Sequence, residues 1–248
     1  MVFYLWRGKI FKIMNIIITG ASKGIGKAIA EVFAGDKQGH NLFLCARNKD
    51  NLDITAKELQ ARFPRSGIYA RNFDVSIEAE VKEFGEWVID QSGTVDILVN
   101  NAGSFIPGSV HEEEEGVLQK MLDANLMSAY HLSRLIIPVM KQQGKGHIIN
   151  MGSIASLQAY KNGGAYSISK FALAGLTKNL REELKPYNIR VSGIYPGATY
   201  TDSWAASGLP RERFMEASDI AEVIYTMVHL SPSACIEDVV LRPQEGDI

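Results

Sequence analysis

A tyrosine and a lysine stand four residues apart in Tyr166-Ser-Ile-Ser-Lys170, and Ser153 precedes the tyrosine by 13 residues. In a helix, Tyr166 and Lys170 lie on one face. An ammonium ion beside a phenol favours the phenolate, so it lowers the pKa of the phenol. With a serine hydroxyl to hold the oxygen of a polarised carbonyl, these groups make a general acid and base that can protonate an alkoxide near neutral pH.

The start of the chain offers a place for a hydride carrier. The apolar run 15–19 is typical of a buried parallel strand, and a glycine-rich turn and a helical pattern follow it. Glycines allow close backbone approach and a helix N-terminus favours an anion, so this segment predicts a dinucleotide-phosphate site. The glycine spacing over residues 20–26 is Gly-x-x-x-Gly-x-Gly. It differs from both the Gly-x-Gly-x-x-Gly pattern and the ATP/GTP phosphate loop.

Strand and helix patterns alternate along the whole chain. The predicted strands are 15–19, 40–46, 68–73, 96–100, 146–152, 189–195 and 236–242. The predicted helices are 24–35, 49–63, 76–92, 117–143, 164–186 and 218–230. This order predicts an α/β Rossmann fold, a doubly wound seven-stranded parallel sheet flanked by helices in one domain over residues 14–248. Asn48 and Ser76 are predicted N-caps, and Pro186 should end the helix that carries Tyr166.

Composition excludes several classes of function. The 248 residues include 26 Lys and Arg against 28 Asp and Glu, so the chain has no basic stripe for nucleic acid. The two cysteines, Cys45 and Cys235, are far apart and argue against a disulfide framework or a zinc site. No apolar stretch reaches the length of a membrane span. The acidic run 111–115 is more simply a solvated face than a metal site.

Polar, glycine or proline residues of the motifs follow six of the predicted strands at their carboxyl ends. These residues are Gly20, Arg47, Asp74, Asn101, Ser153 and Pro196. In open α/β sheets, ligands bind outside the carboxyl ends of the strands. The sequence therefore predicts one site to which all of these positions contribute.

The end of the second strand predicts the cofactor. An acidic residue there would bind the ribose 2′-hydroxyl of NAD, whereas an arginine accommodates a 2′-phosphate. Here Ala46 is followed by Arg47, whose planar guanidinium can pair with phosphate. Lys23 adds a positive charge in the glycine turn and Ser22 a hydroxyl. The prediction is NADP(H).

Several motifs together resemble the short-chain dehydrogenase/reductase family over about residues 14–248. They are the turn 19–26, Asn100-Asn101-Ala102-Gly103, Asn125, Ser153, Tyr166, Lys170 and Pro196-Gly197. The resemblance implies an NADP-dependent oxidoreductase that reduces a ketone to an alcohol by hydride transfer. It also implies that Asp74 and Val75 contact the adenine, and that the segment from Pro196 through Thr199 to Thr201 faces the nicotinamide.

The resemblance further implies a role for each catalytic residue. Tyr166 would protonate the carbonyl oxygen, and Ser153 would hydrogen-bond that oxygen. Lys170 would lower the pKa of Tyr166 and bind the nicotinamide ribose. Asn125 would kink helix 117–143 and hold a water that leads protons to Lys170. The implied cofactor residues are Gly20, Ser22, Lys23, Gly24, Ile25, Gly26, Arg47, Asp74, Val75, Asn101, Ala102, Gly103, Tyr166, Lys170, Pro196, Gly197, Thr199 and Thr201.

The tail 236–248, together with the segment 196–201 and Trp204, resembles the bacterial sepiapterin-reductase-like branch of that family. Tyr160 and Trp204 are candidates for an aromatic pocket, and Asp247 is a candidate carboxylate for anchoring a pterin. One alternative is a 3-oxoacyl-[acyl-carrier-protein] reductase, which would need a basic docking patch such as Arg211 and Arg213. Another is a catalytically silent NADP-binding sensor.

The remaining expectations concern the chain ends and the assembly. Residues 1–13 form an extension of unknown role, because the family's first strand would begin near Asn15 and Met14 could be the natural start. The resemblance implies a homodimer or homotetramer packed through the helices predicted at 117–143 and 164–186. With no export signal, the expected compartment is the cytoplasm.

Overall fold

A computed structural model describes residues 12–201 and 208–246 of the chain. Seven parallel strands form one sheet in the order β3-β2-β1-β4-β5-β6-β7. The strands are β1 Asn15–Thr19, β2 Asn41–Ala46, β3 Gly67–Asn72, β4 Ile97–Asn100, β5 Gly146–Met151, β6 Ile189–Pro196 and β7 Asp238–Leu241. The predicted fold class is confirmed, and each strand lies within two residues of its expected bounds.

Helices cover both faces of the sheet. They are α1 Gly24–Ala34, α2 Lys49–Arg62, α3 Glu78–Ser92, α4 Val117–Leu122, α5 Ser128–Gln143, α6 Gly164–Leu184 and α7 Ala217–Val228. Alternate residues of a strand point to opposite faces, and both faces of β1 are apolar. Ile16 and Ile18 pack in one core with Phe33 of α1 and Ile220 of α7. Ile17 packs in the other core, on the side of α3 and α5.

The strand order reverses between β1 and β4, which are hydrogen-bonded neighbours. From β1 the chain builds the sheet outward through β2 and β3, and from β4 it builds in the opposite direction. The connections that leave the carboxyl ends of β1 and β4 therefore diverge and leave a crevice between them. The candidate site lies in this crevice.

Two of the three predicted helix boundaries are confirmed. The Asn48 side chain accepts a hydrogen bond from the Asn51 backbone N–H at 2.9 Å, which caps α2. Helix α6 ends at Leu184, and Pro186 follows in a short 3₁₀ turn. The prediction for Ser76 is wrong: α3 begins two residues later, and the Ser76 hydroxyl donates to Asp74 Oδ1 at 2.6 Å.

The predicted helix 117–143 is interrupted as expected at Asn125. A π-helical turn, Asp123–Met127, separates α4 from α5. Such turns inside helices often mark functional sites, since they redirect side chains. Among the described residues, no helix is both long and apolar enough to cross a bilayer. Residues 1–11 lie outside the described residues, and the domain bounds remain a prediction.

Candidate active site

The glycine turn after β1 is held by Asn101, the first residue after β4. The Asn101 side-chain N–H donates to the Thr19 and Gly20 carbonyl oxygens at 2.8 and 3.2 Å. A Cβ on Gly20, whose φ is +67°, would lie 2.9 Å from the Ala102 Cα, and a Cβ on Gly26 would collide with the Gly20 oxygen. Only glycine permits this close backbone packing. The turn is thus a compact cradle that leads into the N-terminus of α1.

A cavity of about 650 Å³ lies along this cradle. Its lining includes the predicted residues Gly20, Ser22, Lys23, Gly24, Ile25, Gly26, Arg47, Asp74, Val75, Asn101, Ala102, Gly103 and Thr201. The carboxyl ends of β1, β2, β3 and β4 all contribute to it. A dinucleotide fits the cradle by shape and by the orientation of α1, whose N-terminus favours phosphate.

Arg47 lies at the end of this cavity where an adenosine ribose would be recognised. Its side chain is 77% exposed, and its Nη1 lies 3.7 Å from Asp74 Oδ2 in a loose ion pair. Ala46, just before it, is buried at the end of β2 and offers no carboxylate. Asn48 and Ser22 line the same cavity. This end of the cavity is therefore polar and carries an arginine free to reorient toward an anion.

The three residues of the opening motif converge as their spacing predicts. Tyr166 and Lys170 share one face of α6, and the Lys170 ammonium lies 5.8 Å from the centre of the Tyr166 ring. The Ser153 side chain faces the Tyr166 hydroxyl and acts to lower the pKa of that phenol. Lys170 Nζ donates to the Met151 carbonyl oxygen at 2.8 Å, which ties α6 to the end of β5. All three side chains line one cavity.

Burial determines the pKa values of this pair. It lowers the pKa of the 5% exposed Lys170 to about 8, because the interior disfavours the ammonium. It also raises the pKa of Tyr166, against the opposing effect of the Ser153 side chain. The sequence analysis predicted a lowered phenol pKa, and for the protein without ligand that prediction is wrong. Desolvation of the buried phenol is the largest effect on its pKa.

Asn125 lies behind the cavity rather than in its wall. It is 1% exposed, and its Oδ1 accepts from the Ser104 N–H at 2.8 Å. Its Nδ2 donates to the Ser104 carbonyl oxygen at 3.0 Å and to Ser169 Oγ at 2.9 Å. Asn125 thus clamps the segment after β4 to α6, and both of its amide atoms are used by the protein. The predicted water relay to Lys170 stays a prediction.

A second cavity, of about 400 Å³, adjoins the first. It is lined by the predicted residues Ser153, Tyr160, Tyr166, Lys170, Pro196, Gly197 and Thr199. The two cavities share Ile25, Asn101, Gly103, Ser104 and Thr201. They are therefore neighbouring parts of one groove, with the arginine at one end and the tyrosine at the other.

The substrate end of the groove is largely apolar. Tyr160 lines it, and burial together with the nearby Tyr166 raises its pKa to about 12, so it stays a neutral phenol. Phe105 lines it as well, with its ring edge-on to the Tyr166 ring at 4.9 Å. Trp204 and Asp247 lie outside the described residues.

The sequence analysis missed several residues that line this cavity. They are Ser104, Met151, Gly152, Ile154 and Gln158. Their only sequence signal is position, because each lies within five residues of a predicted strand end or of Ser153. Two of them are polar, Ser104 after β4 and Gln158 in the segment after Ser153.

One trio of described residues has donor atoms within 4.8 Å of one another, Asp36, His40 and His229. It lies at the amino ends of the strands, away from the groove. His40 Nδ1 accepts a hydrogen bond from the Met14 N–H at 3.2 Å. This assigns the proton of the neutral ring to Nε2, the nitrogen that faces Asp36 Oδ2 at 3.5 Å. The trio is therefore better described as a carboxylate flanked by two imidazole rings than as a set of metal ligands.

Comparison with known proteins assigns the family. Residues 14–211 match the short chain dehydrogenase family, and the chain belongs to that family of oxidoreductases. The sepiapterin reductase of Chlorobaculum tepidum is 30% identical over 237 residues, which cover 94% of this chain and 97% of the relative. The 3alpha-hydroxysteroid dehydrogenase of Mediterraneibacter gnavus is 34% identical over 215 residues, covering 83% and 85%.

Solved structures agree with this assignment. An alcohol dehydrogenase from the archaeon Thermococcus sibiricus, complexed with 5-hydroxy-NADP, superposes with a TM-score of 0.85 at 29% identity, covering 94% of this chain and 97% of that one. The L-sorbose reductase of Gluconobacter frateurii, complexed with NADPH and L-sorbose, gives 0.85 at 28% identity, covering 94% and 96%.

Proposed function

We propose that this protein is an NADP(H)-dependent carbonyl reductase that converts a ketone to an alcohol, with Tyr166 as the general acid. The observation that carries the proposal is the single groove that runs from Arg47 to Tyr166. Family membership supports the reaction class. Two similar solved structures that hold 5-hydroxy-NADP and NADPH support the choice of cofactor.

The cofactor would lie along the groove. The glycine turn and the N-terminus of α1 would hold its pyrophosphate, and Arg47 with Ser22 and Lys23 would bind the 2′-phosphate. Asp74 and Val75 would contact the adenine. Thr199 and Thr201 would fix the carboxamide at the other end.

When bound, the cofactor supplies two electrons as hydride to the carbonyl carbon and leaves as NADP⁺. Side chains of the protein would transfer the proton. Tyr166 would give its hydroxyl proton to the substrate oxygen, whose C=O double bond becomes a C–O single bond, and Ser153 would hydrogen-bond that oxygen as charge develops. Lys170 would stabilise the resulting tyrosinate, which regains a proton from solvent. In alcohol oxidation the same steps run in reverse.

The residue that tests this mechanism is Tyr166. The variant Tyr166→Phe keeps the ring but has no proton to give, so kcat should fall by about 10²–10⁴-fold, the usual contribution of a general acid. The Kd for NADPH, measured by fluorescence titration, should stay within roughly twofold because the groove is unchanged. Retention of wild-type turnover by this variant would refute the proposed mechanism.

Within this reaction class, we favour a sepiapterin-like or similarly bulky carbonyl substrate. The apolar and aromatic lining by Phe105, Ile154 and Tyr160 supports a flat or bulky molecule, as does the similarity to the Chlorobaculum tepidum enzyme. Trp204 and the carboxylate of Asp247 remain candidates for substrate contacts.

The ion pairs of Arg211 and Arg213 disfavour the acyl-carrier-protein alternative. Arg211 makes two hydrogen bonds to the Glu216 carboxylate, at 2.8 and 2.9 Å. Arg213 lies 3.2 Å from Glu245. Both guanidinium groups are thus largely neutralised, whereas docking of an acidic carrier protein needs uncompensated positive charge. A silent sensor is disfavoured because the proton-handling residues converge on the pocket.

A panel assay separates these substrates. NADPH consumption should be fastest with sepiapterin or a bulky diketone and slow with an acetoacetyl thioester. The opposite order would favour the acyl-carrier-protein reductase, and no consumption with any of them would favour the sensor.

A further inference from the structure

One carboxylate joins the segment between β4 and α4 to the start of the catalytic helix. Glu113 Oε1 accepts a hydrogen bond from the Ala165 backbone N–H at 2.9 Å. Helix α6 begins at Gly164, and Gly163 before it has no side chain to act as a cap. The first N–H groups of a helix lack partners within the helix. Glu113 therefore supplies a cap from a distant part of the chain, next to Tyr166.

Glu113 differs from the other members of the acidic run 111–115. The other four residues are exposed, as a solvated face predicts, but Glu113 is half-buried. A carboxylate that accepts from backbone N–H groups at a helix N-terminus is favoured by charge-assisted hydrogen bonding and by the helix dipole. The prediction of a solvated face over 111–115 is thus right for the neighbours of Glu113 but not for Glu113 itself.

Two glycines permit this contact. A Cβ on Gly164 would collide with Glu113 Oε1, and a Cβ on Gly108 would lie 2.7 Å from Glu113 Cγ. Gly164 also has a φ of +34°, which a side chain would strain. Glycine at both positions leaves room for the carboxylate against the start of the helix.

The same segment reaches the catalytic tyrosine by a second route. The Gly108 N–H donates to the Asn162 carbonyl oxygen at 3.1 Å, just before α6. Phe105, three residues earlier, packs edge-on against the Tyr166 ring at 4.9 Å. Segment 105–113 therefore contacts the Tyr166 ring through Phe105 at one end. At its other end it binds the Ala165 backbone N–H through Glu113.

We propose that Glu113 is a positioning residue for Tyr166. By capping α6 from outside, it fixes the first turn of the helix and, with it, the direction of the phenol toward the substrate oxygen. It also holds the wall that Phe105 contributes to the pocket. This inference rests on the proposed function, which assigns Tyr166 as the proton donor.

The test compares four variants. Glu113→Ala removes the acceptor, and Glu113→Asp shortens it by one methylene. Glu113→Gln keeps an acceptor oxygen at the same reach, and Glu114→Ala is a neighbouring exposed control. Two quantities are measured: hydrogen exchange of the Ala165 amide in the protein without cofactor, and kcat with a carbonyl substrate.

In Glu113→Ala and Glu113→Asp, the Ala165 amide should exchange roughly tenfold faster or more, since its acceptor is lost. For both variants kcat should fall by about tenfold, because a small misplacement of the reacting group is costly. The Kd for NADPH should not change. Glu113→Gln should restore both quantities to within about threefold of wild type, and Glu114→Ala should match wild type.

Unchanged exchange at Ala165 in Glu113→Ala and Glu113→Asp would overturn the proposal, as would equal loss of kcat in Glu113→Gln and Glu113→Ala. If Glu113→Ala does not fold, the Asp and Gln pair decides the question alone. Exchange at Ala165 does not depend on catalysis. A failure of the proposed function, seen as full activity in Tyr166→Phe, is therefore distinguishable from a failure of this inference.

Discussion

At the scale of single residues, the chemistry of the groove depends on two buried groups whose charged forms the interior disfavours. Lys170 and Tyr166 each have a pKa shifted toward the neutral form by desolvation. A bound nicotinamide dinucleotide with its phosphates and ribose would change these surroundings. The sequence motif correctly identifies Tyr166 and Lys170 as neighbours. Their pKa values, however, depend on how much water reaches the two side chains.

The pKa of Lys170 has a consequence for stability. Its folded-state value, about 8, lies below its ordinary value of 10.5. Between these values the unfolded chain binds a proton that the folded protein does not, so Lys170 makes the protein more stable as pH rises through this window. Below pH 8 both states are protonated, and the cost of the buried ammonium is constant.

Lys170→Met should remove this dependence. Between pH 8 and 10, the free energy of unfolding of the wild type without cofactor should rise relative to that of the variant by up to about 1.4 kcal/mol per pH unit. Urea unfolding of both proteins at several pH values measures the difference. Parallel curves for the two proteins would mean that Lys170 is not buried as a titrating group.

Arg47 is the residue expected to select NADP over NAD. Arg47→Asp replaces a donor for the 2′-phosphate by a repelling carboxylate, so kcat/KM for NADPH should fall roughly 10–100-fold, and the preference should move toward NADH. Steady-state kinetics with both cofactors checks this.

Arg65→Asp is the matched control for Arg47. It makes the same charge change at an exposed arginine that precedes β3, at the amino ends of the strands and away from the groove. Its cofactor preference should equal that of the wild type. If Arg47→Asp and Arg65→Asp behaved alike, the assignment of Arg47 to the 2′-phosphate would fail.

At the scale of elements, the π-helical turn between α4 and α5 brings Asn125 into contact with two other parts of the site. Through Ser104 it holds the segment after β4, and through Ser169 it holds α6. Asparagine is unfavourable inside a helix, because its side chain competes for backbone hydrogen bonds. Here the hydrogen bonds of the Asn125 side chain join the π-helical turn, the segment after β4 and helix α6 beneath the groove.

Asn125→Leu should therefore destabilise the fold as well as the site. It removes the hydrogen-bond partner of the half-buried Ser104 N–H and C=O and of the fully buried Ser169 hydroxyl, which should cost about 2 kcal/mol or more. Guanidinium unfolding measures this change. Asn179→Leu is the control, since the Asn179 amide is exposed and bonds only within α6, and it should change stability by less than about 0.5 kcal/mol. Similar losses in both variants would contradict the clamp.

At the scale of the whole molecule, helix α6 carries apolar side chains on its outer side. Ile168 and Phe171 are 42% and 45% exposed and lie one turn apart on one face. We expect this face to pack against another copy of the chain in a homodimer or homotetramer.

Phe171→Glu should disrupt that assembly, because a carboxylate cannot be buried unpaired in an apolar interface. Light scattering after size-exclusion chromatography should give a multiple of 27.4 kDa for the wild type and a smaller mass for the variant. Ile54→Glu, at an exposed apolar position of α2, is the control and should keep the wild-type mass. A wild type that elutes at the mass of one chain would contradict the expectation.

The hydrophobic periodicity of the sequence and its glycine, proline and capping residues were enough to predict the strands of the sheet and most helix boundaries. A strand buried on both faces is a continuous apolar run in the sequence, as in residues 16–18. Such a run can be recognised without knowing which strands pair with it. The glycine turn and the spacing of Ser153, Tyr166 and Lys170 likewise predict their convergence, because strand ends in a parallel sheet meet at one edge.

Only the tertiary structure decided the direction of the Tyr166 pKa, the pairing of Arg211 and Arg213, and the role of Glu113. Each depends on which groups from distant parts of the chain come to lie within hydrogen-bonding distance, and on how much water remains between them. Local sequence sets neither quantity. Charge is a property of a residue, but desolvation and pairing are properties of the folded surroundings.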